Sequence, residues 1–253
     1  MLMSGFAFGQ PSIESVKKIG SPDSYESGSA YWAALVQYKL VNSSDEVAHQ
    51  LLLQHDNFAD YVKLGYQELN LFGSEQKELV VQLSFDGKSS YAHFFYADAT
   101  NWYKTEYSLE YMALPDSPLD RTIKLSFREV HQEGEWVVLV NKTTKHAAQN
   151  ALEKWLTIWQ VNPDKLQVLH TEKIAAQSFV ERYEAKLSWS NNFPKKLSVT
   201  SKGMTYKEQE ETLYGEEVAN QLEIATIEKL CAFESNTPCE CAILSEETTT
   251  QLE

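Results

Sequence analysis

The chain reads as an all-β protein with a few short helices. It is built from repeats of about 60 residues, each a four-stranded antiparallel sheet, in a propeller-like or sandwich-like arrangement. Three observations predict this. Leu79, Val81, Leu83 and Phe85 fall on one face of an extended chain, with Gln82 and Ser84 on the other, the period-two pattern of a half-buried strand. Asp86-Gly87 follows at once and allows a reversal, because glycine accepts positive φ, and the aromatic run 91–96 supplies the returning strand. The pattern then recurs: Leu79, Val137 and Leu197 are spaced by 58 and 60 residues, and each follows a polar turn.

Taken in order, residues 11–19 suit a short helix, with proline and serine at its start and Ile13, Val16 and Ile19 at helical spacing. Residues 20–29, rich in Gly, Ser, Pro and Asp, read as a loop. Segment 31–41 is apolar, and its Tyr, Trp and Val content favours a strand over a helix. After a turn at 42–45, segment 47–54 reads as a returning strand, with a helix capped by Ser44 as the competing reading. Segment 61–71 leads into the alternating stretch, 102–112 is a third strand, 115–120 is a loop, and 122–130 completes the first set. The second set is 136–141, 155–161, 167–171 and 183–189, with Asn162-Pro163-Asp164 as a turn inside it and one or two helical turns within 145–154. A third set starts at Leu197, the glutamate-crowded 206–217 is a solvated helix or loop, and 222–233 fits strand and helix alike. The division is an N-terminal segment 1–29, a β-repeat domain 30–245 and a polar tail 246–253.

A net charge of −14 makes nucleic acid and anionic membrane poor partners, because the electrostatic term is repulsive. It favours solubility and admits a basic protein or a cation. No run of 18 apolar residues exists, so no helical membrane span is expected. Residues 1–10 are apolar and end in Ala7-Phe8-Gly9, like the tail of a secretory signal, which points to a periplasmic or secreted protein. The three cysteines lie near the end. In an oxidising compartment Cys231 pairs with Cys239 or Cys241, leaving one thiol over. A thiolate metal site is disfavoured, since Cys239-x-Cys241 has no fourth ligand nearby and no histidine follows.

The six histidines show no metal-ligand spacing, and neither a nucleophile elbow nor a phosphate-cradling loop occurs. Trp102, Tyr103 and Tyr107, or Trp155 and Trp159, are candidates for a protein or carbohydrate contact face, with Tyr103 and Tyr107 on one strand face and Trp155 and Trp159 on another. At Glu68-Leu-Asn70-Leu-Phe-Gly73, followed by Glu78-Leu79-Val80-Val81, the chain resembles the FG-GAP or VCBS-type repeats of β-propellers. The resemblance implies a sheet-repeat architecture, a binding role, and calcium held by Glu68, Asn70 and Glu78. Leu71 and Phe72 stand where that family has polar ligands, so no cofactor is expected beyond this calcium. The functional expectation is an extracytoplasmic, non-enzymatic module that binds a protein partner. The alternatives are a glycan-acting hydrolase using a carboxylate pair and a calcium-stabilised surface or adhesion protein.

Overall fold

The computed structural model describes residues 13–72, 77–97, 102–113, 119–146, 151–178, 181–207, 221–233 and 238–252. The signal-like residues 1–10 and the glutamate-crowded 208–217 lie outside them. The chain is mostly β and divides into two compact units, Met1–Pro115 with Pro163–Lys165, and Asp116–Asn162 with Leu166–Glu253.

The first unit opens with three helices, α1 (Ile13–Gly20), α2 (Gly28–Gln37) and α3 (Glu46–Gln54), with single 3₁₀ turns at Pro22–Ser24 and Phe58–Tyr61. A four-stranded antiparallel meander follows: β1 (Val62–Leu69), β2 (Glu78–Phe85), β3 (Ser89–Ala97) and β4 (Trp102–Tyr111). The alternating stretch lies at its centre. Asp86 and Gly87 both have positive φ, 49° and 71°, and turn β2 into β3 as expected.

The expectation of strands at 31–41 and 47–54 is corrected: residues 31–37 and 47–54 are helical, and 38–41 are a turn. Ser27 caps α2 by accepting the Ala30 amide at 3.2 Å. Tyr31 and Leu35, four apart, are fully buried, so helical spacing outweighs the β preference of Tyr, Trp and Val. Lys39 then takes a left-handed φ of 54°, with Lys39 N–H bonded to Val36 O and Leu40 N–H to Leu35 O, a Schellman stop. Asp45 rather than Ser44 caps α3, accepting the Ala48 amide at 3.0 Å. A Cβ on Gly28 would lie 1.9 Å from the Leu52 carbonyl oxygen, so only glycine fits where α2 begins against α3.

The helices cover the sheet face carrying Leu79, Val81, Leu83, Phe85, Tyr91 and Phe95, which form one core with Tyr31, Leu35 and Leu52. Polar ties cross this core. Tyr91 donates to Asp45 at 2.7 Å, and Tyr66 donates to the Lys17 carbonyl at 2.8 Å. His93, fully buried, lies 2.8 Å by Nε2 from the Leu40 carbonyl. Burial, reinforced by the Lys104 cation, pushes His93 down to about 3, so it is neutral and its Nε2–H donates.

The second unit is an eight-stranded antiparallel meander: β5 (Leu119–Glu129), β6 (Trp136–His146), β7 (Ala151–Val161), β8 (Leu166–Gln177), β9 (Glu181–Trp189), β10 (Lys196–Lys207), β11 (Gln221–Ala232) and β12 (Cys241–Leu252). Segment 122–130, expected to complete the first set, instead opens this second sheet. Segment 222–233, open between strand and helix, is β11, and residues 246–252, expected as a tail, continue β12. Residues 145–146 and 151–154 extend β6 and β7, while 147–150 lie outside the described residues.

Neither sheet closes on itself. The even spacing of Leu79, Val137 and Leu197 has a plain origin: they fall on β2, β6 and β10, four strands apart each time. Strands and turns of even length return at an even interval, whichever sheet they join. In the second unit β8 and β9 pair, among the described residues, only through Ala175–Gln177 and Arg182–Glu184. Beyond that short ladder the sheet bends back on itself. Val137, Leu139, Leu156, Ile158 and Leu169 then share a core with Ala185, Leu197, Val199, Cys231 and Phe233.

Candidate functional site

The bend brings β8 to β11 and to the start of β12. Cys231 and Cys241 stand directly opposite each other in the β11–β12 ladder and are joined by a disulfide, with Cα atoms 4.1 Å apart. Of the two pairings open from sequence, the structure takes this one and leaves Cys239 as a thiol. The Cys239 amide donates to the Leu169 carbonyl at 2.7 Å, which ties the chain just before β12 to β8.

That tie brings His170 to the sulfurs. A β-bulge makes this possible: Ile158 pairs with His170 and Trp159 with Val168, so Leu169 is an extra residue in β8. Leu169 and His170, neighbours in sequence, can therefore both serve the inner face. Leu169 is fully buried in the core, and His170 meets Phe233 edge-on at 6.3 Å. His170 Nδ1 lies 3.7 Å from Cys241 Sγ, and Nε2 lies 3.9 Å from Cys231 Sγ. One ligand atom each from His170, Cys231, Cys239 and Cys241 gather within 4.8 Å of one another.

The imidazole has a carboxylate behind it. His170 Nε2 is 3.2 Å from Glu172 Oε2, and Glu172 is 3% exposed. Lys229 Nζ reaches both oxygens of that carboxylate, at 2.9 and 2.8 Å. Burial pushes the Glu172 carboxyl up, but hydrogen bonds from His170 and Lys229 outweigh it and hold the group below its ordinary value. Burial pushes the Cys239 thiol up to about 11. A thiol of that kind stays protonated at neutral pH and is a poor nucleophile by itself.

The cysteines were visible in the sequence, but His170 lies 61 residues before Cys231. Only the chain path brings it in. The signal that could have flagged it is His170-x-Glu172 on a strand, since residues two apart share a face.

Beyond Cys241 the same strand is open. Every residue from 242 to 250 is exposed, and Ile243 and Leu244 are each 62% exposed. Leu244 is the extra residue of a second bulge, between the Lys229–Ile243 and Glu228–Ser245 pairs. β12 has β11 on one side and, among the described residues, no neighbouring strand on the other. The opposite edge, β5, differs: residues 121–129 alternate between half-buried and exposed, and it carries Arg121, Lys124 and Arg128. Charge of that kind blunts an edge.

The sequence-predicted candidates are not members of the thiol–imidazole cluster. Trp102 packs against the helix-covered core of the first unit. Tyr103 stacks on Tyr96 at 5.5 Å, and Tyr107 meets Phe94 at 6.0 Å, so both belong to the other face of that sheet. Trp155 and Trp159 are half-buried in β7. The Trp155 indole donates to Glu153 at 3.4 Å, and the Trp159 Nε1 is buried with no hydrogen-bond partner among the described residues. Of the calcium candidates, Glu68 is exposed and faces Lys17 at 3.9 Å. Glu78 is buried, and its Oε2 accepts the Leu71 and Phe72 amides at 2.6 and 3.3 Å, holding the chain that leaves β1. Asn70 lies in that same connection, partly buried. No helix among the described residues is long and apolar enough to cross a membrane.

No family model, no curated protein and no solved structure matches this chain.

Proposed function

We propose that this protein is an extracytoplasmic, non-enzymatic binding module that takes a protein partner by strand addition along β12. The observation that carries the reading is the exposure of β12 at every residue from 242 to 250, together with its unpaired outer edge among the described residues. A strand exposed on both faces gains little from burial. Its free N–H and C=O groups are a template for another chain, and Ile243 and Leu244 offer apolar contact beside them.

The partner segment is extended, basic and partly apolar. Glu246 and Glu247 follow Ile243 and Leu244 on this strand, and the chain carries a net charge of −14. Opposite charge at such an edge sets orientation and speeds encounter. The Cys231–Cys241 bridge fixes the start of β12 against β11, so the edge is preorganised. A bridge of this kind persists in oxidising compartments, which supports a location outside the cytoplasm.

The test is capture of envelope and secreted proteins on the purified chain, repeated with Ile243→Glu/Leu244→Glu and with Glu246→Lys/Glu247→Lys. A partner retained by the native chain, lost by both variants, and slowing amide exchange in residues 241–252 supports the reading. A partner retained equally by both variants, or protection elsewhere only, contradicts it.

A further inference from the structure

We propose that, once the Cys231–Cys241 bridge is reduced, Cys231, Cys239, Cys241 and His170 bind one Zn²⁺ as a closed Cys₃His site. This does not rest on what binds β12.

The ligand set is the first argument. Three thiolates and one imidazole form a standard structural zinc set, and tetrahedral zinc with Zn–S of about 2.3 Å places its ligand atoms roughly 3.5–3.8 Å apart. The four donor atoms already lie within 4.8 Å of one another, and His170 Nδ1 is 3.7 Å from Cys241 Sγ. Opening the disulfide and moving each donor by about an ångström completes that geometry.

The second argument is independent of the sulfurs. A metal-ligating histidine characteristically gives its other ring N–H to a carboxylate, which fixes the tautomer and orients the ring. Glu172 stands in that position, 3.2 Å from Nε2 and almost wholly buried, so Nδ1 is the nitrogen left to face the metal. Lys229 in turn anchors Glu172 through both oxygens. Three thiolates on a dication leave one net negative charge, and the Lys229 ammonium, paired with Glu172, keeps that carboxylate from adding a second. The surroundings are apolar: Phe233 lies against His170, and Trp189 lies 5.4 Å from Phe233.

The chemistry balances with a thiol as reductant. Two thiols of that reductant give up two electrons and two protons to the Cys231–Cys241 bridge, yielding two cysteine thiols and one external disulfide. Zinc binding then releases three protons, one from each cysteine, while His170 binds neutral. In reverse, an external disulfide takes two electrons from Cys231 and Cys241 and two protons from solvent, and leaves as two thiols. The bridge re-forms, Zn²⁺ leaves, and Cys239 recovers a proton. Bridge and metal are therefore alternative staples for one place, the junction of β8, β11 and β12.

The experiment uses the full chain reduced anaerobically with a phosphine, stripped of metal, and titrated with Zn²⁺ against a chromophoric chelator. The oxidised chain is titrated alongside it. The expected result is one equivalent bound by the reduced chain, none by the oxidised chain, and three protons released. Co²⁺ in place of Zn²⁺ is expected to give the d–d bands of tetrahedral thiolate-bound cobalt. Glu172→Gln is expected to weaken binding by about 10–100-fold, the usual effect of removing an outer-shell partner. Cys239→Ser, which keeps the disulfide and hence the oxidised fold, and His170→Gln are expected to weaken it further. The proposal is overturned if the reduced chain takes up no stoichiometric zinc, whether or not it keeps its β-sheet circular dichroism. It is equally overturned if Cys239→Ser binds as tightly as the native chain, or if the oxidised chain binds as tightly as the reduced one.

Discussion

The two units solve the same problem in different ways. Both are antiparallel meanders built from similar strands, yet the first covers its sheet with helices and the second bends its sheet onto itself. In the first, β2 and β3 are buried almost end to end, and polar ties from Asp45, His93, Tyr31 and Tyr66 fasten helices to strands and to one another. In the second, the shared core draws on residues from every strand between β6 and β11, and a disulfide holds the last two strands together. The difference teaches where a β protein can carry an open edge. A sheet fastened through its core needs no covalent staple, whereas a terminal strand exposed on both faces does.

The largest effect that sharpens the contrast is expected from Leu35→Ala. Leu35 is fully buried between α2 and the sheet. Cutting it back leaves a cavity and costs about 2–5 kcal/mol. Amide exchange is expected to quicken throughout the first unit and to stay unchanged in β10–β12. Equal quickening in both would mean that the units do not unfold separately.

Removing the staple is the mirror experiment. Cys241→Ser opens a loop closed across 10 residues, and the chain-entropy account puts its worth at about 2–3 kcal/mol. Urea unfolding followed in the second unit is expected to shift by that amount, with the first unit unmoved. No shift would show that β12 needs no covalent anchor.

Next comes pH. His93 is neutral in the folded state and titrates near 6.5 when unfolded. Between about 3 and 6.5 the unfolded chain therefore binds the extra proton, so this contribution is complete above 6.5 and is lost as pH falls. Going from pH 7 to 5 is expected to cost the first unit about 2 kcal/mol more in the native chain than in His93→Gln. Parallel pH profiles for the two chains would remove His93 as the cause.

How much of this was legible follows from the range of the interactions. The alternation at 79–85 and the Asp86-Gly87 turn are local, and they appear where expected. Segment 31–41 misleads because Tyr, Trp and Val favour strands, while the decisive features are the Ser27 cap and the spacing of Tyr31 and Leu35. The boundary between the sheets falls after β4 because Leu119–Glu129 pairs with β6, a choice made by partners rather than by composition. The thiol–imidazole cluster was half visible: spacing limited the disulfide to two pairings, but His170 arrives through a bulge and a bent sheet. At Glu78 the resemblance to calcium-binding repeats implies a cation ligand, and the structure adds what local sequence does not show: its carboxylate accepts the amides of Leu71 and Phe72.

The most direct test of the account is hydrogen–deuterium exchange on the metal-free chain, with and without a phosphine reductant, read peptide by peptide. The account predicts a marked rise in exchange across residues 221–252 on reduction, greatest in β12, with residues 13–113 unchanged. Unaltered exchange in β12, or an equal rise in both units, would contradict it.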